Sequence, residues 1–145
     1  MQPLLEDPGI KPGPAQIRYT RDAFLDLLRI RASTSLLRLR TADDVTARLR
    51  FVNTGPAQNG SVVAAVLDGR GHPGAGWNGL MFAINVNPQA QTLALPELQG
   101  RRWELHPVHL AAGAADPRPR REASWDSATG TLQVPPRTAV VYVER

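Results

Sequence analysis

The sequence contains no cysteine, so disulfide frameworks, thiolate nucleophiles, cysteine zinc sites and iron–sulfur clusters are all excluded. Lysine is almost absent too. Of 17 basic residues only Lys11 is a lysine, and set against 13 acids they leave a net charge of +4. That excess is modest. The arginines are spread along the chain rather than clustered or interleaved with aromatics, which argues against a nucleic-acid partner. No stretch approaches the ~18 uninterrupted apolar residues of a membrane helix, so no membrane partner is expected either. The start carries prolines and the acidic pair Glu6-Asp7 in place of a basic and then apolar run. It does not read as a secretory signal, and the compartment stays open between cytoplasm and secretion.

What is present is an ordinary globular composition, 42% apolar and 21% charged over 145 residues. That length allows one domain with a real core and excludes a large barrel enzyme. Pro3, Pro8, Pro12 and Pro14, with Gly9 and Gly13, crowd the first 19 residues. Proline removes backbone donors and breaks helices, so residues 1–19 are expected to form an extended tail or linker. From Thr20 the pattern changes: Ala23, Phe24, Leu27, Leu28 and Arg31 recur at helical intervals, with Thr20 as N-cap and Asp22 in the first turn. An amphipathic helix to about Ala32 is predicted. Thr41-Ala42-Asp43-Asp44 offers a second cap, with an acid at the third helical position, and a shorter helix to about Ala47 is predicted behind it.

Beyond that point the period falls to two. Ala47, Leu49 and Phe51 alternate with Arg48 and Arg50, and short apolar runs recur at 61–67, 80–86, 92–95, 102–107, 122–125, 131–134 and 139–143. Glycine and proline turns separate them. Short strands with no helical pattern between them predict an antiparallel β-sandwich over 47–145, preceded by one or two short helices in 20–46.

Few motifs carry chemistry. His106 and His109 stand three apart, a spacing that serves a helix but not one strand face, and no third ligand lies near in sequence. No metal site is expected. His72 lies in the glycine-rich stretch Gly69–Gly76, which lacks the flanking strand, lysine and helix of a phosphate loop and reads as a flexible hairpin connection. No serine sits in a nucleophile elbow. Glycoside hydrolysis requires two facing carboxylates, one kept protonated, whereas Asp43, Asp44, Asp68, Asp116 and Asp126 all fall in turns or caps. No catalytic residue, cofactor or metal ligand is therefore assigned. Trp77 and Trp103 are the candidates for stacking on a sugar ring, although a tryptophan on an alternating strand is usually core. Asn59-Gly60-Ser61 fits a glycan acceptor pattern, one that arises often by chance.

Taken in order, Leu27–Val45, Ala47–Pro56, Phe82–Leu93, Glu104–Val108 and Ser124–Val143 resemble the closing part of pullulanase-type α-1,6-glucosidases, debranching glycoside hydrolases of the α-amylase clan. The resemblance covers about residues 20–145. Leu27–Val45 looks like the last barrel helix and exit segment, and the remainder like the C-terminal β-sandwich, an α-amylase C-terminal-domain-like fold. One departure is Thr34-Ser35-Leu36-Leu37, where the family tends to carry a helix-stopping proline. The family's catalytic carboxylates lie upstream of this stretch, so none is carried over.

The resemblance implies a non-catalytic domain that supports a catalytic barrel, its principal partner. Two alternatives stay open: an α-glucan or starch-binding module using Trp77 or Trp103, and a stand-alone interaction domain. An orphaned barrel helix would leave Phe24, Leu27 and Leu28 either packed on the sandwich or exposed as a patch that invites weak self-association.

Overall fold

A computed structural model describes residues 6–145. The first part of the expected tail, Pro3 included, lies outside the described residues. Residues 8–10 form a single 3-10 turn, and helix α1 then runs from Pro14 to Ala32. It therefore begins six positions before the expected Thr20. The proline expected to break a helix sits instead at the first helical position behind Gly13, where its missing N–H and fixed φ suit a helix start. Thr20 is thus not a cap; inside the helix its hydroxyl donates to the Gln16 carbonyl at 2.9 Å.

Helix α1 ends at the expected residue by other means than proline. The Ser33 N–H closes the last turn on the Arg29 and Ile30 carbonyls. Thr34 is buried, donates to the Ala75 carbonyl at 2.7 Å and accepts from the Leu36 N–H at 3.1 Å, which turns the chain into a 3-10 turn at Leu36–Arg38. Helix α2, Ala42–Arg48, starts as predicted: Thr41 accepts from the Asp44 N–H at 3.1 Å.

Eight strands come next, every pairing antiparallel: β1 Leu49–Phe51, β2 Val62–Asp68, β3 Gly79–Asn85, β4 Gln91–Ala94, β5 Glu104–Leu105, β6 Ser124–Asp126, β7 Thr131–Val134 and β8 Thr138–Glu144. They form a five-stranded sheet in the order β1-β2-β3-β8-β5 and a three-stranded sheet in the order β4-β7-β6. Two short helices, α3 Pro107–Leu110 and α4 Arg118–Glu122, fall between the runs 102–107 and 122–125, where no helix is expected. Both carry a proline in the first turn, as α1 does at Pro14.

The main core lies between the sheets. Val62, Ala64, Val66, Met81, Ala83, Val140 and Tyr142 from the larger sheet meet Leu93, Leu132 and Val134 from the smaller one, with Leu98 and Trp103 closing an end. A second, smaller core lies on the outer face of the five-stranded sheet, where Leu67, Leu80 and Val141 are covered by Ile30, Leu36 and Ala75. The Gly69–Asn78 connection is fixed rather than loose. Ser35 binds the Gly74 and Pro73 carbonyls at 3.0 and 2.8 Å, and Ala75 is buried. Gly69 is required at its root, because a β-carbon there would stand 2.1 Å from the Trp77 carbonyl oxygen. Among the described residues no helix is long and apolar enough to cross a membrane.

Candidate functional site

Helix α1 has 19 residues but buries only Asp26 and Ile30. A surface helix of this length normally buries an apolar stripe of three or four residues per two turns. Here the apolar residues lie on the other side. Phe24 is 60% exposed, and Leu25, Leu27 and Leu28 are about two-fifths exposed. Of the two fates expected for Phe24, Leu27 and Leu28, close packing on the sandwich is not found: they stay exposed, Phe24 and Leu27 at the mouth of a cleft beside the sheet, and the sandwich holds the helix by the Asp26–Ile30 edge.

That edge is polar as well as apolar. The buried Asp26 carboxylate accepts from the Ala115 N–H at 2.8 Å and from the Arg29 guanidinium at 2.6 Å. Beside it Arg118 grips Asp116 through two nitrogens at 2.9 and 2.6 Å, reaches the Pro136 carbonyl at 2.7 Å and donates to the Tyr19 hydroxyl at 3.1 Å. Between helix and sheet an open cleft of about 290 Å³ remains, lined by Tyr19, Phe24 and Leu27 on one wall and by Arg118, Thr138 and Ala139 on the other. Sequence reasoning missed this arrangement. Asp26, an acid one turn before the buried Ile30, was its available signal.

His106 and His109 are buried, and their lone pairs are spent. His106 is the N-cap of α3, its Nδ1 accepting from the Val108 N–H at 3.2 Å while Nε2 lies 3.0 Å from the Ser33 hydroxyl. His109 Nε2 accepts from the Val141 N–H at 3.2 Å. Burial, with a smaller contribution from His106, holds His109 down to about 4, and burial lowers His106 as well. Neither has a lone pair left for a metal ion, and no cluster of three metal-ligating side chains occurs among the described residues.

The two tryptophan candidates separate. Trp103 is only 6% exposed and belongs to the main core, with Arg101 lying 4.4 Å over its ring and Gly79 leaving the space it fills. The sugar-stacking reading of Trp103 is corrected on that ground, since neither face of the indole is offered to solvent. Trp77 is half-buried, edge-on to His106 at 6.0 Å, and the Arg145 guanidinium stands 5.7 Å from its ring centre. The two do not share a surface. At the glycan acceptor pattern, the Asn59 amide already donates to Gln91 at 2.8 Å.

Three of the turn carboxyls are unsuited to acid catalysis. Hydrogen bonding from Arg70 holds Asp68 at about 2, and the Thr129 hydroxyl lowers Asp126. Burial pushes Asp116 up, but hydrogen bonds from Arg118 outweigh it and leave it low. None of the three is held protonated at neutral pH.

Comparison with known proteins bears on this surface. A family described as "Alpha-1,6-glucosidases, pullulanase-type, C-terminal" matches residues 1–145. The chain is 38% identical over 151 residues to pullulanase 1, chloroplastic, of Arabidopsis thaliana, covering 99% of this chain and 15% of that protein. It is 29% identical over 106 residues to a pullulanase of Klebsiella pneumoniae, covering 70% of this chain and 10% of that one. The crystal structure of PulA from Klebsiella oxytoca superposes with a TM-score of 0.78 at 25% identity, over 91% of this chain and 12% of that one. The chain thus spans no more than 15% of the length of these relatives.

Proposed function

Because the chain belongs to the C-terminal family of pullulanase-type alpha-1,6-glucosidases, we propose that it is the non-catalytic closing domain of an α-1,6-glucan debranching hydrolase, supporting a catalytic barrel. The observation that carries this reading is the match of a C-terminal family to the whole chain, set beside the chain's 15% share of the Arabidopsis relative. One feature of the chain supports it. The outward Phe24, Leu27 and Leu28 give α1 the apolar face that a helix keeps for a neighbour.

The chain alone is expected to release no reducing ends from pullulan above a buffer control. Hydrolysis by the purified chain, abolished by substitution of one of its own carboxylates, would overturn the reading. Without a barrel the α1 face is expected to associate weakly with a second copy. Sedimentation velocity at rising concentration should show a weight-average mass that climbs for the native chain and stays monomeric for Leu27→Ser/Leu28→Ser.

A glucan-binding reading rests on Trp77 alone. For a sugar ring to stack there, Arg145 must swing off the indole. If the chain is retarded in an amylopectin gel, Trp77→Ala should abolish the retardation. Retardation unchanged in that variant sinks this reading.

A further inference from the structure

We propose that the outer face of the five-stranded sheet forms the second half of the seat for the catalytic region, continuous with the apolar face of α1; this rests on the reading above. Three strands, β2, β3 and β8, are almost continuously apolar, over Val62–Leu67, Leu80–Ile84 and Ala139–Val143. A sandwich strand with one wet face alternates, and an unbroken apolar run belongs to a strand covered on both sides.

Only part of that second side is covered. Toward one end, Leu67, Leu80 and Val141 lie beneath Ile30, Leu36 and Ala75. Toward the other, the ladder sets Val63 opposite Ile84 and Ile84 opposite Ala139, while Phe51 pairs with Ala65, two residues along the same strand face from Val63. Val63, Ile84 and Ala139 therefore form one row across three strands, and Phe51 stands one step off it, diagonal to Val63 on the neighbouring strand. Three of the four stay open to solvent: Phe51 is 51%, Val63 49% and Ile84 43% exposed. Opposed neighbours on one face stand ~5 Å apart and diagonal ones ~7–8 Å, within reach of an aromatic ring, so the four form a contiguous apolar band rather than scattered side chains.

The band leads into the cleft. Ala139, its last member, shares that cleft with Phe24 and Leu27 of α1. One body lying against the helix face would meet the band without a break. The relatives supply a body of the right scale, because the chain accounts for only 15% of the Arabidopsis protein and 12% of the Klebsiella oxytoca one. The occupant is accordingly the catalytic region, straddling helix and sheet and filling the cleft between them.

The test replaces the matching segment of the Arabidopsis pullulanase by this chain and compares two variants. One is Phe51→Ser/Val63→Ser/Ile84→Ser in the band, and the other is Phe24→Ser/Leu27→Ser on the helix. Each is also made in the chain alone, so that loss of the domain's own stability is subtracted. The result expected is a fall of the chimera's thermal midpoint by about 5 °C or more for each variant beyond the change in the chain alone. A fall for the helix variant only overturns the inference and leaves the proposed function standing. No excess fall for either overturns both. Should the chimera fail to fold, the same substitutions at the aligned positions of the Arabidopsis enzyme give the same readout. A stable dimer of the chain alone that the band variant returns to monomer would assign the band to a second copy and overturn the choice of occupant.

Discussion

Replacing Trp103 with alanine is expected to lower the unfolding free energy by about 3–5 kcal/mol, the usual cost of emptying an indole-sized space in a core. The indole closes one end of the main core, between Arg101 above and Gly79 below. Its buried Nε1 has no hydrogen-bond partner, so the ring contributes through volume and contact rather than through polarity. Trp103→Phe, which deletes that unpaired N–H and keeps a ring, should cost far less. Urea denaturation midpoints decide the matter. A Trp103→Ala protein within about 0.5 kcal/mol of the native chain, the range of an ordinary surface substitution, would mean that the indole is not core and would restore it as a stacking candidate.

Acidification is expected to have the second large effect. The unfolded imidazole of His109 takes up a proton near 6.5, while in the folded chain burial, helped by His106, delays uptake to about 4. Across that window the unfolded state binds more protons, so stability is full above about 6.5 and falls as the pH drops toward 4. At ~1.4 kcal/mol for each pH unit of displacement, the loss attributable to His109 is about 3 kcal/mol. His106, lowered by burial, adds to it in the same direction. Asp68, Asp116 and Asp126, all held below the ordinary 3.8, contribute their losses only at lower pH. Unfolding midpoints measured at pH 7, 5.5 and 4 should fall steeply in the native chain. In His109→Gln, which cannot titrate, the fall should be visibly shallower. An identical slope in the variant would show that the imidazole is not what resists protonation.

Much of the fold was legible because its signals are local. The Thr41 cap, the end of α1 at Ala32, and β2, β3, β7 and β8 each depend on a few adjacent residues, and each lies within a residue or two of its expected place. What failed was the meaning of proline. At Pro14, Pro107 and Pro119 it starts a helix, and whether a proline breaks or begins one depends on the residues after it. His106 and His109 were illegible for another reason. Their lone pairs are taken by the N–H groups of Val108 and Val141, and the second of these is 32 residues away.

The candidate surface was half legible. Helical spacing picked out Phe24, Leu27 and Leu28, but not which edge of the helix the sandwich would hold. The sheet band was present as apolar runs too continuous for a strand with one wet face. Its members are spread over four strands, and only the assembled ladder places Val63, Ile84 and Ala139 in line with Phe51 diagonal to them.

Strand order also bears on how such a chain is made. β8 lies inside the larger sheet, between β3 and the edge strand β5, although it is the last strand in the chain. During synthesis the β2–β3 hairpin emerges early and must hold the bare edge of β3 open while everything from Val86 to Arg137 is added. Only then does its neighbour arrive. An unpaired strand edge is a template for wrong partners, and long-range pairing is slow to form. The order of manufacture and the order of assembly are out of step, and a ribosome that stops short of Thr138 releases a sheet cut back to β1, β2 and β3, with β5 left without its partner.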